Sequence, residues 1–188
     1  MSNREVLLER ALALFAERGY DAVGVQEICE AAGVTKPTLY HYFGSKRGVL
    51  ETLVGERYAP FVARLAEATV YAGDLPRTLE AVVDACFRFA ADEPALTRLV
   101  LALWLAPSTG EAVEVVAPAS EAQRRTLEEM FARAARDHGN MRGREREYAL
   151  TLLGTVYTYV ALALNGELEL DARLVRRAVH QFSHGIYS

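Results

Sequence analysis

Lys36-Pro37-Thr38-Leu39-Tyr40-His41-Tyr42-Phe43 puts a cation, a hydroxyl, an imidazole and two phenols within eight residues. At helical spacing Leu39 and Phe43 share one stripe. That leaves Lys36 and Tyr40 on one outward line and Pro37 and His41 on the next, flanked by Thr38 and Tyr42. Such groups donate hydrogen bonds to phosphate and base-edge oxygens, and their apolar parts pack on thymine methyls. Singly, Tyr40 and Tyr42 fit half-exposed packing, and His41 fits an ordinary surface histidine. Together they point to a face that meets nucleic acid. Lys46 and Arg47 follow in the first turn of the next helix, where cations oppose the helix dipole. A nearby phosphate offsets that local cost; without one, Lys46 is a solvated charge. Lys46 supports no core stripe, so its loss is expected to weaken DNA binding and leave the fold intact.

Other reactive residue types lack a frame. His180 and His184 stand at the i, i+4 spacing of metal ligands, but no Cys, Asp or Glu converges with them in sequence. Cys29 and Cys86 make neither a disulfide framework nor a zinc motif, and both sit in apolar helical patterns, as buried reduced thiols do. There is no glycine-rich phosphate loop and no nucleophile elbow. The expectation is therefore no enzyme, no cofactor and no bound metal.

The elements that position these residues read as helices, and no stretch alternates apolar and polar residues. Asn3 is placed to cap a helix carrying Leu7, Leu8, Ala11, Leu12 and Phe15. Val25, Ile28, Cys29 and Ala32 recur at i, i+3, i+4, i+7 and stop at Gly33. Thr35 is placed to cap the next short helix and Ser45 a fourth, with a kink expected at Pro60. Two short helices joined through Gly33 and Val34 have helix-turn-helix arithmetic. Further stripes run through Leu79–Ala90, Leu96–Leu103, Leu127–Ala134 and, behind Asp171, Leu174–Ile186; Ala106–Gly110 reads as a loop. The fold class is all-α, with about nine helices: a three-helix N-terminal domain over residues 1–48 and a helical bundle over residues 49–188.

Composition bounds the function class. Of 188 residues, 51% are hydrophobic and 24% charged, an ordinary globular balance. The net charge of -4 excludes a polycation that binds nucleic acid by bulk charge. The first fifty residues hold six basic and six acidic groups, so binding must rest on specific contacts and on dimerisation. No export-type apolar stretch opens the chain, which sets a cytoplasmic expectation. Tyr148 to Gly166 runs 19 residues without a charge. Its length suits a bilayer, but its threonines, tyrosines and Asn165 suit a protein core better, so no membrane partner is expected. Thr151, Thr155, Thr158 and Ala161 form a small-residue stripe on it, and Leu150, Leu153, Tyr157, Val160 and Leu164 a bulkier one. Two apolar faces on one helix point to a homodimer, with the second subunit covering one of them.

Phe15-Gly19-Tyr20, Val25-x-x-Ile28, Ala32-Gly33-Val34-Thr35, Thr38-Leu39-Tyr40-x-Tyr42-Phe43 and Ser45-Lys46 together resemble the DNA-binding module of the tetracycline-repressor (TetR) family of transcriptional regulators. The resemblance spans roughly residues 4–54. It implies that Lys36, Pro37 and Tyr40 face bases in the major groove, that Thr38, His41 and Tyr42 lie toward phosphates, that Lys46 contacts the backbone, and that Thr35 belongs to the same DNA-binding set. Gln26 is placed to reach a base edge, since its amide pairs with adenine. The family usually carries a threonine at the start of the second helix; Gly24 and Val25 stand there, leaving only backbone N–H groups for a phosphate.

Beyond residue 54 the resemblance implies a ligand-binding and dimerisation region. A small, largely apolar or aromatic effector is implied, with Cys86, Phe87, Trp104, Met130, Phe131 and Tyr157 as candidate contacts; as plain sequence these are mostly core. The implied function is a ligand-responsive, dimeric repressor on a pseudo-palindromic double-stranded operator. The alternatives are a helical protein-binding adaptor and a DNA-binding regulator without a small-molecule effector.

Overall fold

The computed structural model describes residues 2–107 and 109–185. Among them there is no strand, and the order is α1 (Asn3–Arg18), α2 (Val25–Ala32), α3 (Lys36–Phe43), α4 (Lys46–Leu53), a π turn (Val54–Tyr58), α5 (Ala59–Ala68), α6 (Leu75–Asp92), α7 (Pro94–Trp104), α8 (Glu111–Ala134), α9 (Glu145–Leu164) and α10 (Ala172–His184). With α4, the π turn and α5 counted as one rod, nine α-helices result. Ile186 and Ser108, placed by sequence on the last stripe and in the α7–α8 loop, lie outside the described residues.

Local chemistry explains most boundaries. α1 is capped by Ser2, not Asn3, because Ser2 and Glu5 form a reciprocal box: the Glu5 N–H donates to Ser2 Oγ at 3.3 Å and the Ser2 N–H donates to Glu5 Oε2 at 2.7 Å. Ser45 caps α4 through the Gly48 N–H at 2.9 Å, and Asp171 caps α10 through the Leu174 N–H at 2.7 Å. Gly48 is required by packing: a Cβ there would lie 1.9 Å from the Phe43 carbonyl oxygen at the tight α3–α4 corner. Where a kink is expected at Pro60, the structure shows a π turn just before it, over Val54–Tyr58. Pro60 offers no N–H to the Glu56 carbonyl, and the helix widens before it to relieve the mismatch. α8 begins sixteen residues before Leu127, the first residue its stripe had marked, because Pro118 inside it hides the pattern.

The chain divides into two compact units. The first holds the described residues of Met1–Pro60 with Ala95–Ala119. Its core gathers Leu7, Leu8, Phe15, Ile28, Leu39 and Leu50, each at most 3% exposed. Burial of each stabilises by ~1.5–3 kcal/mol relative to exposure.

The second unit holds Phe61–Pro94 with the described residues of Ser120–Ser188. Here α6 packs on both α9 and α10, and Phe61 stacks on Phe89 at 4.2 Å. The buried stripe of α9 is Ala149, Leu152, Leu153, Val156 and Val160. Leu150, placed by sequence on the bulkier stripe with Leu153 and Val160, is 44% exposed while they are buried: the inward arc centres on Leu152–Leu153. The outward arc carries Thr151, Thr155 and Thr158, each partly or fully exposed. Their hydroxyls donate back to the carbonyls of Glu147, Thr151 and Gly154 at 2.8, 2.9 and 2.8 Å. With the hydroxyls satisfied internally, the helix presents mainly methyl groups outward.

Candidate nucleic-acid interface

α2 and α3 are joined by a turn that the sequence specifies closely. Gly33 adopts φ +67°, ψ +31°, a left-handed conformation that glycine enters without a Cβ penalty. The Val34 N–H then donates to the Cys29 carbonyl at 3.0 Å, closing the end of α2. This swings α3 across the core, where Leu39 is fully buried. One buried residue in an eight-residue helix leaves most of its surface free.

Lys36, Pro37, Tyr40, His41 and Tyr42 are all exposed, and Thr38 is half-buried. Tyr40 at 48% and Tyr42 at 41% exposure are held too loosely to be core residues. The Tyr42 ring meets His41 edge-on at 5.3 Å, so the two aromatics brace each other. Thr35 is the N-cap residue of α3, but its side chain makes no cap hydrogen bond; its Oγ1 lies 3.0 Å from Thr38 Oγ1 instead. The two hydroxyls form an exposed pair at the start of α3, where the helix dipole favours an anion.

Two expected contacts are already engaged. Gln26 donates from Nε2 to Glu30 Oε1 at 2.6 Å, so its amide must leave that carboxylate to reach a base. The Gly24 N–H, one of the backbone donors expected to serve a phosphate, donates to Glu27 Oε2 at 3.0 Å. That N–H, and then Arg18 at 2.5 Å, hold the Glu27 carboxyl below the usual carboxylate range. The α2 N-terminus thus carries its own anion.

Lys46 is not a solvated charge. Its Nζ donates to the carbonyls of Tyr20 and Val23, both at 3.0 Å, and lies 4.0 Å from the centroid of the Tyr20 ring. It ties the α1–α2 loop to the start of α4, a structural duty that its helix pattern did not show. Tyr20 is 3% exposed and stacks near Phe15 at 5.0 Å. Its hydroxyl donates to Glu111 at the start of α8. Burial first, and then the Glu111 carboxylate, push the Tyr20 phenol above its ordinary range. Arg47, beside Lys46, donates from Nε to Glu51 at 2.8 Å and from Nη1 to Glu114 of α8 at 3.1 Å. The Glu51 pair shows in sequence as i, i+4 spacing; the contacts to Glu111 and Glu114 cross 91 and 67 residues and leave no local signal.

The candidate effector residues divide. Cys86 and Phe87 on α6, and Met130 and Phe131 on the second half of α8, are buried in the second unit. Phe131 lies 5.7 Å from Tyr148 and 6.1 Å from Phe182. Tyr157 donates its hydroxyl to Gln123 Oε1 at 2.9 Å, and Gln123 is 2% exposed. Trp104 departs from this group: it ends α7 in the first unit and is 54% exposed. A cleft of about 330 Å³ in the second unit is lined by Phe61, Arg64, Asp84, Arg88, Phe89 and Asp92, and touches none of the six candidates.

Residues 7–53 match the family model described as bacterial regulatory proteins, tetR family. The transcriptional activator FasR of Mycolicibacterium smegmatis is 28% identical over 182 residues, which cover 97% of this chain and 81% of that protein. The fold superposes on FadR of Bacillus subtilis in complex with stearoyl-CoA with a TM-score of 0.78 at 22% identity, covering 97% of this chain and 99% of that one. It also superposes on the ketosteroid transcriptional regulator KstR2 of Mycobacterium tuberculosis with a TM-score of 0.77 at 21% identity, covering 98% and 94%. At those identities the two structures speak to the fold alone. The matched span contains the whole of α2, the Gly33 turn and α3, with its outward Lys36–Tyr42 face. Residues 7–53 thus form a tetR-family DNA-binding domain, and along its length the chain is similar to a DNA-binding transcriptional regulator.

Proposed function

We propose that the chain works in the bacterial cytoplasm as a homodimer that represses transcription from a pseudo-palindromic operator. In this reading residues 1–48 bind DNA and residues 49–188 bind effector and dimerise. The observation that carries the DNA contact is the α3 surface. Five polar or amphipathic side chains from Lys36 to Tyr42 stand outward on a helix anchored by the fully buried Leu39. Lys36, Pro37 and Tyr40 read base edges; Thr35, Thr38, His41 and Tyr42 meet phosphates. Lys46 has spent two donors on carbonyls, and its third N–H remains for the backbone. Gln26 joins only after it leaves Glu30.

The dimer places α9 against its copy, because the back-bonded Thr151–Thr155–Thr158 face is apolar and uncovered in a single chain. Two α3 helices related by a two-fold axis read inverted half-sites about one helical turn apart or a little more. Genomic SELEX followed by footprinting tests this directly. An enriched motif without inverted symmetry would count against the dimer. With the selected operator, Tyr40→Ala and Lys36→Ala should each weaken binding by ~1–3 kcal/mol per subunit and blur preference at particular positions.

The effector is small and largely apolar. Support comes from the apolar surroundings of Phe87, Met130 and Phe131, with the Tyr157–Gln123 pair as a buried polar group. It also comes from two proteins of this fold, one solved with stearoyl-CoA and one titled a ketosteroid regulator. Stearoyl-CoA and a ketosteroid are therefore the first two compounds to try, with thermal stabilisation as the readout. Repression is the expected direction, since an operator-bound dimer excludes other proteins from the site; FasR, named an activator, marks the other outcome of a reporter assay.

A further inference from the structure

The twelve residues from Lys36 to Arg47 contain three cations, Lys36, Lys46 and Arg47, and no acid. Two of those cations are held by protein groups of different kinds. Lys46 is bound by backbone carbonyls, which stay with it. Arg47 is bound by carboxylates that come from outside the stretch. Glu51 sits one turn further along α4 and takes Nε at 2.8 Å. Glu114 comes from the first turn of α8 and takes Nη1 at 3.1 Å.

We infer that Arg47 is a phosphate-binding residue of the DNA interface, and that Glu114 occupies it in the free protein as a competing anion. A guanidinium is a rigid fork whose edges fit carboxylate and phosphate alike. Glu51 orients the fork through Nε and leaves Nη1 to whichever oxyanion is nearer. Both partners in the Arg47–Glu114 pair are open to solvent, the arginine side chain at 38% and the glutamate at 59%. Such an exposed pair is weak and readily exchanged. Only Gly44 and Ser45 separate α3 from α4, so Arg47 follows closely on the helix that enters the groove. The inference rests on DNA binding through α3 and the start of α4, and it assigns to that surface a residue that the helix dipole alone left with no specific contact.

The test uses the full-length protein and a fluorescein-labelled 30-base-pair duplex of mixed sequence, with anisotropy read between about 50 and 200 mM salt, because a phosphate contact works on any sequence. Glu114→Gln keeps the shape of the side chain and frees Arg47; it should tighten binding about 1.5- to fivefold per subunit, the range of an exposed ion pair. Arg47→Ala should weaken binding and reduce the salt slope by about one per subunit, while Arg47→Lys should keep most of the slope. The double variant Arg47→Ala with Glu114→Gln should match Arg47→Ala alone. Glu111→Gln removes the same charge from the same turn of α8 and should gain less than Glu114→Gln. If Glu114→Gln tightens the Arg47→Ala background as much as the wild type, or if Glu111→Gln gains as much, the gain is general charge relief and the exchange is overturned. An unchanged affinity for Glu114→Gln overturns it also. A wild-type protein that binds no duplex even at the lowest salt removes the DNA surface itself, and the inference with it.

Discussion

Lys46→Met should destabilise the fold, contrary to what the helix pattern alone implies. Methionine keeps the length and apolar stem of the side chain and removes only the charge and its donors. The ammonium makes two hydrogen bonds to carbonyls at 3.0 Å, and hydrogen bonds from a charged donor are worth ~1.5–3 kcal/mol each. Lys46 is half-buried, so water recovers part of that at both carbonyls once the ammonium is gone. The cation over the Tyr20 ring at 4.0 Å adds ~0.5–1 kcal/mol. Removing a cation from the first turn of α4 returns ~0.3–1 kcal/mol through the helix dipole. With water recovering roughly half of the hydrogen-bond contribution, the sum is a net loss of about 2 kcal/mol. For a chain of this size, ~2–4 °C accompanies each kcal/mol, so the Tm should fall by about 4–8 °C. Circular dichroism at 222 nm through a thermal ramp measures it, without DNA present. A Tm within about 1 °C of wild type would refute the structural role and return Lys46 to solvent or to DNA alone. If its third N–H also meets a phosphate, the same variant should lower the salt slope of DNA binding by about one per subunit.

Thr97→Val should raise stability by ~1 kcal/mol, because the Thr97 hydroxyl is buried on α7 without a hydrogen-bond partner and valine fills the same space; an unchanged or lower Tm refutes this. The two cysteines should resist Ellman's reagent at pH 8 in the folded protein and both react after unfolding, since burial pushes the Cys86 thiol up to about 12 and raises that of Cys29 as well; fast labelling of the native protein would show that the unit carrying the labelled cysteine opens readily, the first for Cys29 and the second for Cys86. Thr155→Arg places an unpaired charge on the outward face of α9, and light scattering should then report monomer where the wild type is a dimer at micromolar concentration; a wild-type monomer there sinks the dimer itself.

Local rules were mostly legible where both partners lie within about one helical turn; Thr35 is an exception, since it stands at the N-cap of α3 without making the cap hydrogen bond. Ser45 and Asp171 cap as expected, Gly33 makes the turn, and Leu39 anchors α3, because each answer depends on residues up to four positions away. Asn3 gave way to Ser2 for the same kind of reason: two reciprocal hydrogen bonds at Ser2 and Glu5 outweigh one. Helical spacing groups Leu150 with Leu153 and Tyr157, but only Leu153 of the three is buried. Only the neighbours, α6 and α10, decide which of two apolar arcs is covered.

The interface shows the same limit from the chemical side. In sequence, Lys46 and Arg47 are two cations side by side in one turn, each with the same cost against the helix dipole. Apart from Glu51, four residues from Arg47, their partners lie 23 to 67 residues away, and those partners give them different work. The Tyr20 and Val23 carbonyls are fixed by the backbone, so Lys46 holds the α1–α2 loop with two of its N–H groups. A carboxylate can exchange, so the strength of the Arg47–Glu114 pair subtracts directly from whatever Arg47 contributes to DNA affinity. Tyr20 closes the arrangement: its ring lies under the Lys46 ammonium, its carbonyl accepts from it, and its hydroxyl reaches Glu111, three residues before Glu114 on α8. A displacement of that first turn of α8 would therefore act on the two cations unequally. It would free or seize Arg47 at once, while Lys46 would keep the α1–α2 loop against α4.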